Sequence, residues 1–287
     1  MKIRFIINPI SGTGKQKGIE KLISKYFTDY DIIYTKKAGD AKKISIQSVK
    51  SNFDAVISVG GDGTLNECAS SLKNTNTSLG VIPCGSGNGF AFHIGMNKNI
   101  ETSLKQIKNS VIKDIDTCSV NKNIFINVSG IGFDAHIAKL FSKLKTRGFI
   151  NYFKLILKEL KYKPKEYNIK YDNTEKNINA YMISFANASQ YGNDAKISPM
   201  ALIDDGEIDF VIVKAFPKRK IPNFLYKVMN GTIHKSNFVE IIRTKKMIIN
   251  SNDTLIHLDG ESKNEENPIR INIHPKSLKI LAPNEKK

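Results

Sequence analysis

The sequence predicts two domains: an α/β domain with a parallel sheet, followed by a domain that is mostly an antiparallel β-sandwich. Up to about residue 110, short apolar runs alternate with segments of helical spacing, which is typical of a parallel sheet with right-handed crossovers. Beyond that point, short alternating stretches are separated by Asn, Asp, Gly and Pro, which favours antiparallel strands. We therefore predict domains at residues 1–120 and 121–287.

The first domain is predicted to begin with a strand and to repeat strand and helix. Three glycine-rich stretches, at residues 8–14, 60–63 and 85–89, each follow one of its strands. This places them at the carboxyl edge of the sheet, where ligands of open α/β folds bind. In chain order, the predicted elements are strand Lys2–Ile7, helix Gly18–Phe27, strand Asp31–Thr35, helix Asp40–Val49, strand Ala55–Val59, helix Thr64–Leu72 and strand Leu79–Ile82.

The second domain is predicted to consist mostly of strands around one helical stretch. Helical spacing holds from Ala135 to Leu160 and is broken near Gly148. The last apolar run, Leu278–Leu281, can pair with either domain, so the final strand can return to the first. The predicted strands are Val111–Val120, then Ile124–Ser129 after a turn at Asn121–Asn123, and further along Tyr167–Tyr171, Ala180–Ala186, Glu207–Val213, Val239–Arg243, Met247–Asn250, Leu255–Leu258 and Ile269–Ile273.

Composition excludes several classes of protein. The chain has 287 residues, of which 40% are hydrophobic and 25% charged, so it has enough apolar residues for a sizeable core and is not disordered. No apolar run approaches the roughly 20 residues of a membrane-spanning helix. Cys68, Cys84 and Cys118 include no C-x-x-C pair, so neither a disulfide framework nor a zinc site is expected. The run Lys2–Asn8 is too short and too early for a signal peptide, and the expected compartment is the cytoplasm.

The charge balance is basic, with 44 Lys and Arg against 27 Asp and Glu and a formal net charge of +17. Such a field suits a polyanionic partner, whether nucleic acid, nucleotide or anionic membrane. The same charge can also simply solvate the surface of a chain rich in Lys, Asn and Ile. The net charge therefore favours a polyanionic partner but does not identify which one.

The glycine-rich loops suit phosphate, but they match neither of two common phosphate-binding fingerprints. A Walker P-loop ending at Lys15 needs glycine where the chain has Pro9. A dinucleotide fingerprint needs a third glycine where the chain has Lys17, Asn66 or Phe90. Because three glycine-rich turns share one sheet edge and carry polar side chains, a phosphate site is nevertheless favoured.

The middle loop opens a helix that Thr64 is expected to cap. A helix N-terminus favours an anion, yet the charge of Asp62 would repel a phosphate there. A divalent cation between the carboxylate and the phosphates removes this conflict, as in phosphoryl transfer. The alternative is that Asp62 is a turn residue or a helix cap.

At these residues the chain resembles the diacylglycerol kinase catalytic superfamily, which includes bacterial lipid kinases and sphingosine kinases. The resemblance covers nearly the whole chain. It implies an NAD-kinase-like α/β domain and a β-rich domain with ATP between them, and transfer of the γ-phosphoryl group to a lipid hydroxyl. The motifs that carry it are Asn8–Lys15, Gly60–Glu67, Pro83–Asn88, Gly130–Asp134, Asp205–Asp209 and Asp259–Glu261.

The resemblance also implies roles for single residues. Glu261 resembles the general base, and Thr35 matches a threonine that bacterial members use for ATP. Asp205 resembles the acidic ligand of a structural Mg²⁺ site, which would also enlist the backbone carbonyls of Leu202 and Glu207. The residues implied to bind ATP are Asn8, Pro9, Ile10, Ser11, Gly12, Thr35, Gly61, Asp62, Gly63, Thr64, Leu65, Asn66, Glu67 and Ser86.

For two acidic segments, Asp259–Glu261 and Asp204–Gly206, a structural role is the alternative to the functional one. Deprotonating an alcohol needs a positioned base, usually worth about 10²–10⁴ in rate, and a turn at Gly260 would direct Glu261 outward for that purpose. Without the resemblance, the pattern favours two solvated acids on a hairpin for Asp259 and Glu261. The segment Asp204–Gly206 suits either Mg²⁺, held by one carboxylate with carbonyls and waters, or a type I turn before a strand.

Two basic amphipathic stretches, at residues 137–161 and 217–229, can contact a membrane or pack on the β-rich domain. A basic face can lie on an anionic bilayer, with each cation adding about 1 kcal/mol, but a packed helix with a solvated outer face is the commoner explanation. Membrane contact predicts a peripheral protein at the inner leaflet. A homodimer is compatible with the resemblance. The first stretch combines apolar Ile137, Leu140, Phe141, Leu144, Phe149, Phe153, Ile156 and Leu160 with basic Lys139, Lys143, Lys145, Arg147, Lys154, Lys158 and Lys161; the second carries Lys218, Arg219 and Lys220.

The expected function is ATP- and Mg²⁺-dependent phosphorylation of a lipid alcohol, with diacylglycerol as the first choice and phosphatidic acid as its product. Gly89 stands where bacterial diacylglycerol kinases usually carry Asp, and Cys84–Gly89 is closer to sphingosine kinases, so a sphingoid-base kinase is the first alternative. An NAD kinase shares the Gly60–Thr64 loop but not the other motifs. A non-catalytic nucleotide-binding module is the last alternative; nucleic acid is not expected, because the chain has no RNP-like sequence.

Overall fold

The protein divides into two compact units. The computed structural model describes residues 1–12, 14, 16–144 and 149–284, apart from the side chains of Phe149, Ile150 and Phe153. The first unit comprises Met1–Ile115 and the segment from Lys276 onward, and the second comprises Asp116–Pro275. The chain passes between the units within two long strands, β5 (Val111–Val120) and β15 (Ile269–Ala282).

The first unit is a parallel α/β sheet. Its other elements are β1 (Ile3–Ile7), α1 (Ile19–Tyr26), β2 (Tyr30–Tyr34), α2 (Asp40–Lys50), β3 (Ala55–Gly60), α3 (Asp62–Leu72), β4 (Ser78–Pro83), α4 (Gly89–His93) and α5 (Ile100–Lys108). The strand order is β15-β4-β3-β1-β2, with every pair parallel. The central strands β3 and β4 are buried along their whole length, as apolar strands of a parallel sheet with helices on its faces must be. In β15 it is the last apolar run that pairs here, Ile280 lying opposite Leu79.

Each element predicted for this unit is present, with bounds shifted by one or two residues. Helices α4 and α5 were not predicted. The signal for α5 was present in the sequence: Asn99 is an N-cap whose side chain accepts the N–H of Thr102 at 3.0 Å, and Leu104 and Ile107 form the buried face.

In its described residues, the second unit is an antiparallel β-structure with three α-helices. Its elements are β6 (Asn123–Phe125), β7 (Val128–Gly132), α6 (Phe133–Ser142), α7 (Phe149–Lys158), β8 (Lys165–Tyr171), β9 (Thr174–Ala186), β10 (Ile208–Lys214), α8 (Ile221–Met229), β11 (Val239–Thr244), β12 (Lys246–Asn250), β13 (Leu255–Leu258) and β14 (Glu261–Asn264). One path runs β14-β13-β7-β9-β8-β12-β15, and β10 joins β9 to β11. The long strand β9 pairs with β8 through its first half and with β7 and β10 through its second, and Phe185 packs on Phe210 in the core beneath it. The predicted fold class, α/β followed by a β-sandwich, is confirmed.

The predicted strand Ile124–Ser129 is wrong as a single element. It divides into β6 and β7 because the backbone N–H groups of Ile126 and Asn127 donate to the carboxylate of Asp259, at 3.1 and 2.9 Å, rather than to a neighbouring strand. Strand β14 was not predicted, since its side chains are polar and mostly exposed and give no alternation.

The first amphipathic stretch forms α6 and α7. Helix α6 buries Ala135, Ile137 and Ala138. It therefore packs within the second unit rather than presenting this apolar face to a membrane. Phe141 of α6 contacts Tyr152 of α7 at 5.4 Å between ring centroids. The predicted basic residues Lys145 and Arg147, the break near Gly148, and the side chains of Phe149 and Phe153 lie outside the described part of the chain. Among the described residues, the helices are too short or too polar to cross a bilayer.

Candidate active site

Three glycine-rich loops meet at the carboxyl edge of the parallel sheet in the first unit. We name them the first loop (residues 8–12), the second loop (60–64) and the third loop (84–88). A Cβ on Gly12 would lie 2.0 Å from the carbonyl oxygen of Cys84, and a Cβ on Gly85 would lie 2.4 Å from Cα of Gly61. The loops therefore touch backbone to backbone, which only glycine allows at these positions.

Side-chain hydrogen bonds join the same loops. Asn8 of the first loop donates from Nδ2 to Oγ1 of Thr64 in the second loop at 3.1 Å. The backbone N–H of Asn88 in the third loop donates to Oδ2 of Asp62 at 2.8 Å. The Asn88 amide also closes its own loop by accepting the N–H of Gly85 and donating to its carbonyl, both at 2.8 Å. The three loops thus form one hydrogen-bonded assembly.

The expected role of Thr64 as a helix cap is wrong. Helix α3 begins at Asp62 and its N-cap is Gly61, so Thr64 lies inside the first turn and its hydroxyl serves the first loop instead. The N-terminal position of Asp62 agrees with the preference for acids in a first helical turn. Its carboxylate supports the third loop, which is a structural role that the sequence did not indicate.

The structure separates the other residues implied to bind ATP into two groups. Pro9, Ser11, Gly63 and Ser86 lie in the three loops, with Ile10 86% exposed at the tip of the first, and Thr35 directly follows β2, its N–H bonded to the carbonyl of Ile7 at 2.9 Å. Three others lie further along α3. Leu65 is 2% exposed in the core, and Asn66 is half-buried. Glu67 accepts the N–H groups of Gly39 and Lys42 at the start of α2, at 2.7 and 3.3 Å.

Gln16 supports the first loop and was missed from the sequence. Its side chain is 3% exposed, and its Nε2 donates to the carbonyl oxygens of Asn8 and Ser11 at 2.7 and 3.1 Å. A lone glutamine after a glycine-rich loop carries no periodic signal, so this contact could not be predicted from the sequence.

In the second unit, Asp259 and Gly260 form the tight turn between β13 and β14. Leu258 pairs with Glu261 across it, and the positive φ angles of Asp259 (47°) and Gly260 (90°) identify a primed hairpin turn, for which Asp-Gly is a preferred pair. Asp259 is buried and receives two backbone N–H groups, so it is not one of two solvated acids. Glu261 is exposed at the start of β14, immediately after this fixed turn.

A buried polar cluster lies behind the turn. The Nδ1 atom of His257 accepts the backbone N–H of Gly260 at 3.2 Å, and its Nε2 lies 3.2 Å from Oδ2 of Asp134 without the alignment of a hydrogen bond. The same Asp134 oxygen accepts the hydroxyls of Ser184 and Tyr191 at 3.0 and 3.2 Å. Burial is the main cause, and the charge of Asp134 the second, of a pKa for Tyr191 well above its usual value. Its hydroxyl therefore stays protonated and donates a hydrogen bond to Asp134.

Asp205 lies in a turn that is rich in acids. Its Oδ1 accepts the N–H of Glu207 at 3.0 Å, and its Oδ2 lies 3.8 Å from the guanidinium of Arg243. Arg243 binds Asp209 more closely, at 2.8 Å, and this contact raises the pKa of the guanidinium. The next residue, Gly206, donates its N–H to the buried carboxylate of Asp116 at 2.7 Å. Among the described residues no cluster of three His, Cys, Asp or Glu side chains is placed to hold a metal.

An apolar cavity of about 150 Å³ lies in the second unit, bounded by α6, α7, α8 and the strands β9 and β10. Asp134 and Tyr191 of the buried cluster form part of its wall. We did not predict this cavity from the sequence, although the aromatic residues of α8 that line it are apparent there. Its apolar lining includes Ile137, Met182, Val213, Phe216, Phe224 and Val228.

Comparison with known proteins assigns both halves of the chain. Residues 2–120 match the diacylglycerol kinase catalytic domain, and residues 127–282 match the YegS C-terminal NAD kinase beta sandwich-like domain. The chain belongs to the diacylglycerol kinase and YegS family of lipid kinases. This membership confirms the resemblance noted from the motifs, and it favours a lipid kinase over an NAD kinase or a non-catalytic module.

Individual relatives agree with this family. The chain is 30% identical to a probable lipid kinase YegS-like protein of Yersinia enterocolitica over 257 residues, which are 87% of this chain and 86% of that one. It is 28% identical to the diacylglycerol kinase of Bacillus subtilis over 273 residues, 91% and 89% of the two chains. A crystal structure of a diacylglycerol kinase from Bacillus anthracis str. Sterne matches with a TM-score of 0.78 at 24% identity, covering 99% of this chain and 97% of that one, and bears on the fold.

Proposed function

We propose that this protein is an ATP- and Mg²⁺-dependent lipid kinase that phosphorylates diacylglycerol to phosphatidic acid. The observation that carries the proposal is in the second unit. The wall of an apolar cavity includes Asp134, and Asp134 contacts the histidine that holds the turn before Glu261. The apolar cavity, which can hold hydrocarbon, is thus linked through Asp134 and His257 to the turn that carries Glu261, the acid proposed to accept a proton.

The cavity suits part of a hydrocarbon chain. Cavities of roughly 150 Å³ with aliphatic and aromatic walls stay dry and bind apolar groups. Each methylene group transferred from water into such a site contributes about 0.8 kcal/mol. A diacylglycerol has two acyl chains and one free hydroxyl, so the cavity would bind a chain segment and leave the polar end outside.

The loops of the first unit suit a nucleotide triphosphate. Gly12, Gly61 and Gly85 leave these loops without Cβ atoms that would block a phosphate, and the N-terminus of α3 adds its dipole. We assign ATP to these loops through Asn8, Ser11, Gly12, Gly61 and Ser86, with the remaining residues of the loops and Thr35 at their border. Asp62 is the carboxylate available to Mg²⁺, a cation that needs only one or two carboxylates when phosphates supply other ligands.

In the reaction, the lipid hydroxyl gives its proton to the carboxylate of Glu261 as its oxygen attacks the γ-phosphorus. The bond from that phosphorus to the bridging oxygen breaks, and ADP leaves. Bound Mg²⁺ would neutralise the charge that develops on the phosphate oxygens. Asp259 and His257 fix the turn before it, so the backbone that carries Glu261 is set before the substrate arrives, as a positioned general base requires.

The structural Mg²⁺ site proposed at Asp205 has a donor set that fits. One carboxylate and the carbonyls of Leu202 and Glu207 are hard oxygen ligands, which Mg²⁺ prefers. Arg243, which lies 3.8 Å from Asp205, is also shared with the neighbouring acids Glu207 and Asp209. Such an ion would hold the turn before β10 in place.

The test is a phosphorylation assay with γ-labelled ATP, Mg²⁺, and diacylglycerol or sphingosine in mixed micelles. We expect phosphatidic acid from the native protein. Glu261→Gln should lose this activity while binding ATP nearly unchanged, whereas Glu266→Gln, an exposed acid further along the same segment, should remain active. Near-native turnover by Glu261→Gln would remove it from the mechanism.

A sphingoid-base kinase is the second candidate, and Gly89 favours it. This glycine begins α4, directly after Asn88 of the third loop, at the position where bacterial diacylglycerol kinases usually carry Asp. Preferential labelling of sphingosine in the same assay would select this candidate over the first.

A further inference from the structure

We propose that His257 is a positioning residue for Glu261, and that the Asp134–His257 pair holds the Asp259–Gly260 turn in the conformation that presents the base. This inference rests on the proposed function, since Glu261 is the base only there. His257 is 2% exposed, so its ring is shielded from solvent. It acts through the backbone of the turn.

The hydrogen bond to Gly260 fixes the tautomer of His257. Because the Gly260 N–H donates to Nδ1 at 3.2 Å, Nδ1 carries a lone pair, and the ring proton is on Nε2. Nε2 lies 3.2 Å from Oδ2 of Asp134, close enough for an electrostatic contact although without the alignment of a hydrogen bond. The negative charge of Asp134 favours a proton on the near nitrogen, so it keeps the far nitrogen free to accept the turn.

Asp134 is itself held rigidly. Its Oδ1 accepts the N–H of Ala135 at 2.8 Å, and its Oδ2 accepts Ser184 Oγ at 3.0 Å and Tyr191 OH at 3.2 Å. Gly130 of β7 lies so close that a Cβ there would be 2.2 Å from Oδ2. Because these contacts fix the Asp134 carboxylate, the carboxylate in turn restricts where the His257 ring can lie. Supporting residues of a preorganised site act in this way.

The turn is therefore held from two directions. Asp259 binds the backbone of Ile126 and Asn127 on one side, and Gly260 binds His257 on the other. Glu261 is the next residue, so a rotation of the Gly260 peptide moves its carboxylate. A misplacement of about 1 Å in a catalytic group can cost about 10²-fold in rate.

Two conservative variants separate this role from simple packing. In His257→Asn the amide oxygen takes the place of Nδ1 and can accept the Gly260 N–H. In His257→Gln the amide reaches the place of Nε2, near Asp134, and leaves Gly260 without its acceptor. The two variants differ little in size and polarity, so both should fold. We expect kcat to fall at least about tenfold in His257→Gln and by less than about threefold in His257→Asn, with the KM for ATP unchanged in both.

A second measurement reports the turn without using activity. Amide exchange at Gly260, followed by NMR, should be faster in His257→Gln than in the native protein and close to native in His257→Asn. Combining His257→Gln with Glu261→Gln should lower the residual rate no further than Glu261→Gln alone, because both act on one group.

The outcomes distinguish this inference from the function on which it rests. Equal kcat values for His257→Asn and His257→Gln, with Glu261→Gln inactive, would overturn the positioning role and leave the proposed kinase intact. An active Glu261→Gln would remove the base itself and the positioning role with it. Loss of kcat in both variants with matching losses of melting temperature would show a purely structural histidine, which also overturns the inference.

Discussion

The carboxylate of Asp62 accepts the backbone N–H of Asn88 at 2.8 Å, so an acid of the second loop holds the third loop in place. This contact gives Asp62 a structural role besides the proposed one towards Mg²⁺. The two roles use different properties of the side chain. Holding the loop needs an acceptor oxygen, whereas binding the cation needs negative charge.

Asp62→Asn should separate these roles, because an amide keeps an acceptor oxygen and loses the charge. We expect turnover to fall by about 10²-fold, as when one preorganised electrostatic contact is removed, with a nearly native melting temperature. Asp62→Ala should lose both properties, with a further loss of stability of about 1–3 kcal/mol for the unpaired Asn88 N–H. Native turnover by Asp62→Asn would mean that holding the loop is the whole role of Asp62.

Gly12→Ala should weaken ATP binding by displacing the third loop. The added Cβ would lie 2.0 Å from the carbonyl oxygen of Cys84, a backbone atom that cannot move independently. Gly18→Ala is the matched control, because Gly18 also has a positive φ, 75° against 59° for Gly12, but its Cβ would meet no described heavy atom within 4 Å. Both variants carry left-handed strain of about 1–2 kcal/mol.

We therefore expect both glycine variants to unfold at lower denaturant concentration, and only Gly12→Ala to lose ATP affinity, by tenfold or more. Calorimetric titration with ATP and a urea melt measure the two effects. Equal ATP affinity in the two variants would contradict the backbone contact between the first and third loops.

Asp205→Asn should abolish any stabilisation of the protein by Mg²⁺. A ligand that binds only the folded state raises the melting temperature with concentration, so the native protein should melt higher in millimolar Mg²⁺ than in a chelator. Asp204→Asn, at the exposed neighbouring position, is the control and should still show the rise in melting temperature with Mg²⁺. An Asp205→Asn protein that still gains stability from Mg²⁺ would exclude Asp205 as a ligand.

Ala195→Trp should raise the KM for the lipid by filling the apolar cavity. Ala195 is half-buried on the cavity wall, and an indole there would displace several methylene groups, each worth about 0.8 kcal/mol. Ala195→Ser adds a single atom and serves as the control. The KM for ATP should not change in either variant, and an unaltered lipid KM in Ala195→Trp would place the chain elsewhere.

Local patterns along the chain were sufficient for the elements of the first unit. Strands such as Ala55–Gly60 consist almost entirely of apolar residues, and the following glycines mark where each loop begins, so periodicity and turn residues give the alternation directly. Local patterns failed where a distant side chain intervened. Asp259 takes the N–H groups of Ile126 and Asn127 and thereby interrupts a stretch that by itself is typical of one continuous strand.

The sequence by itself determined the two-part architecture, the three glycine-rich loops and the turn at Asp259 and Gly260, because each depends on residues that are neighbours in the chain. Only the tertiary structure decided that His257 meets Asp134, that Asp62 holds Asn88, and that an apolar cavity lies beside Tyr191. These contacts depend on strand register, such as the pairing of His257 with Gly130, and register is set by the packing of the whole sheet rather than by any one segment.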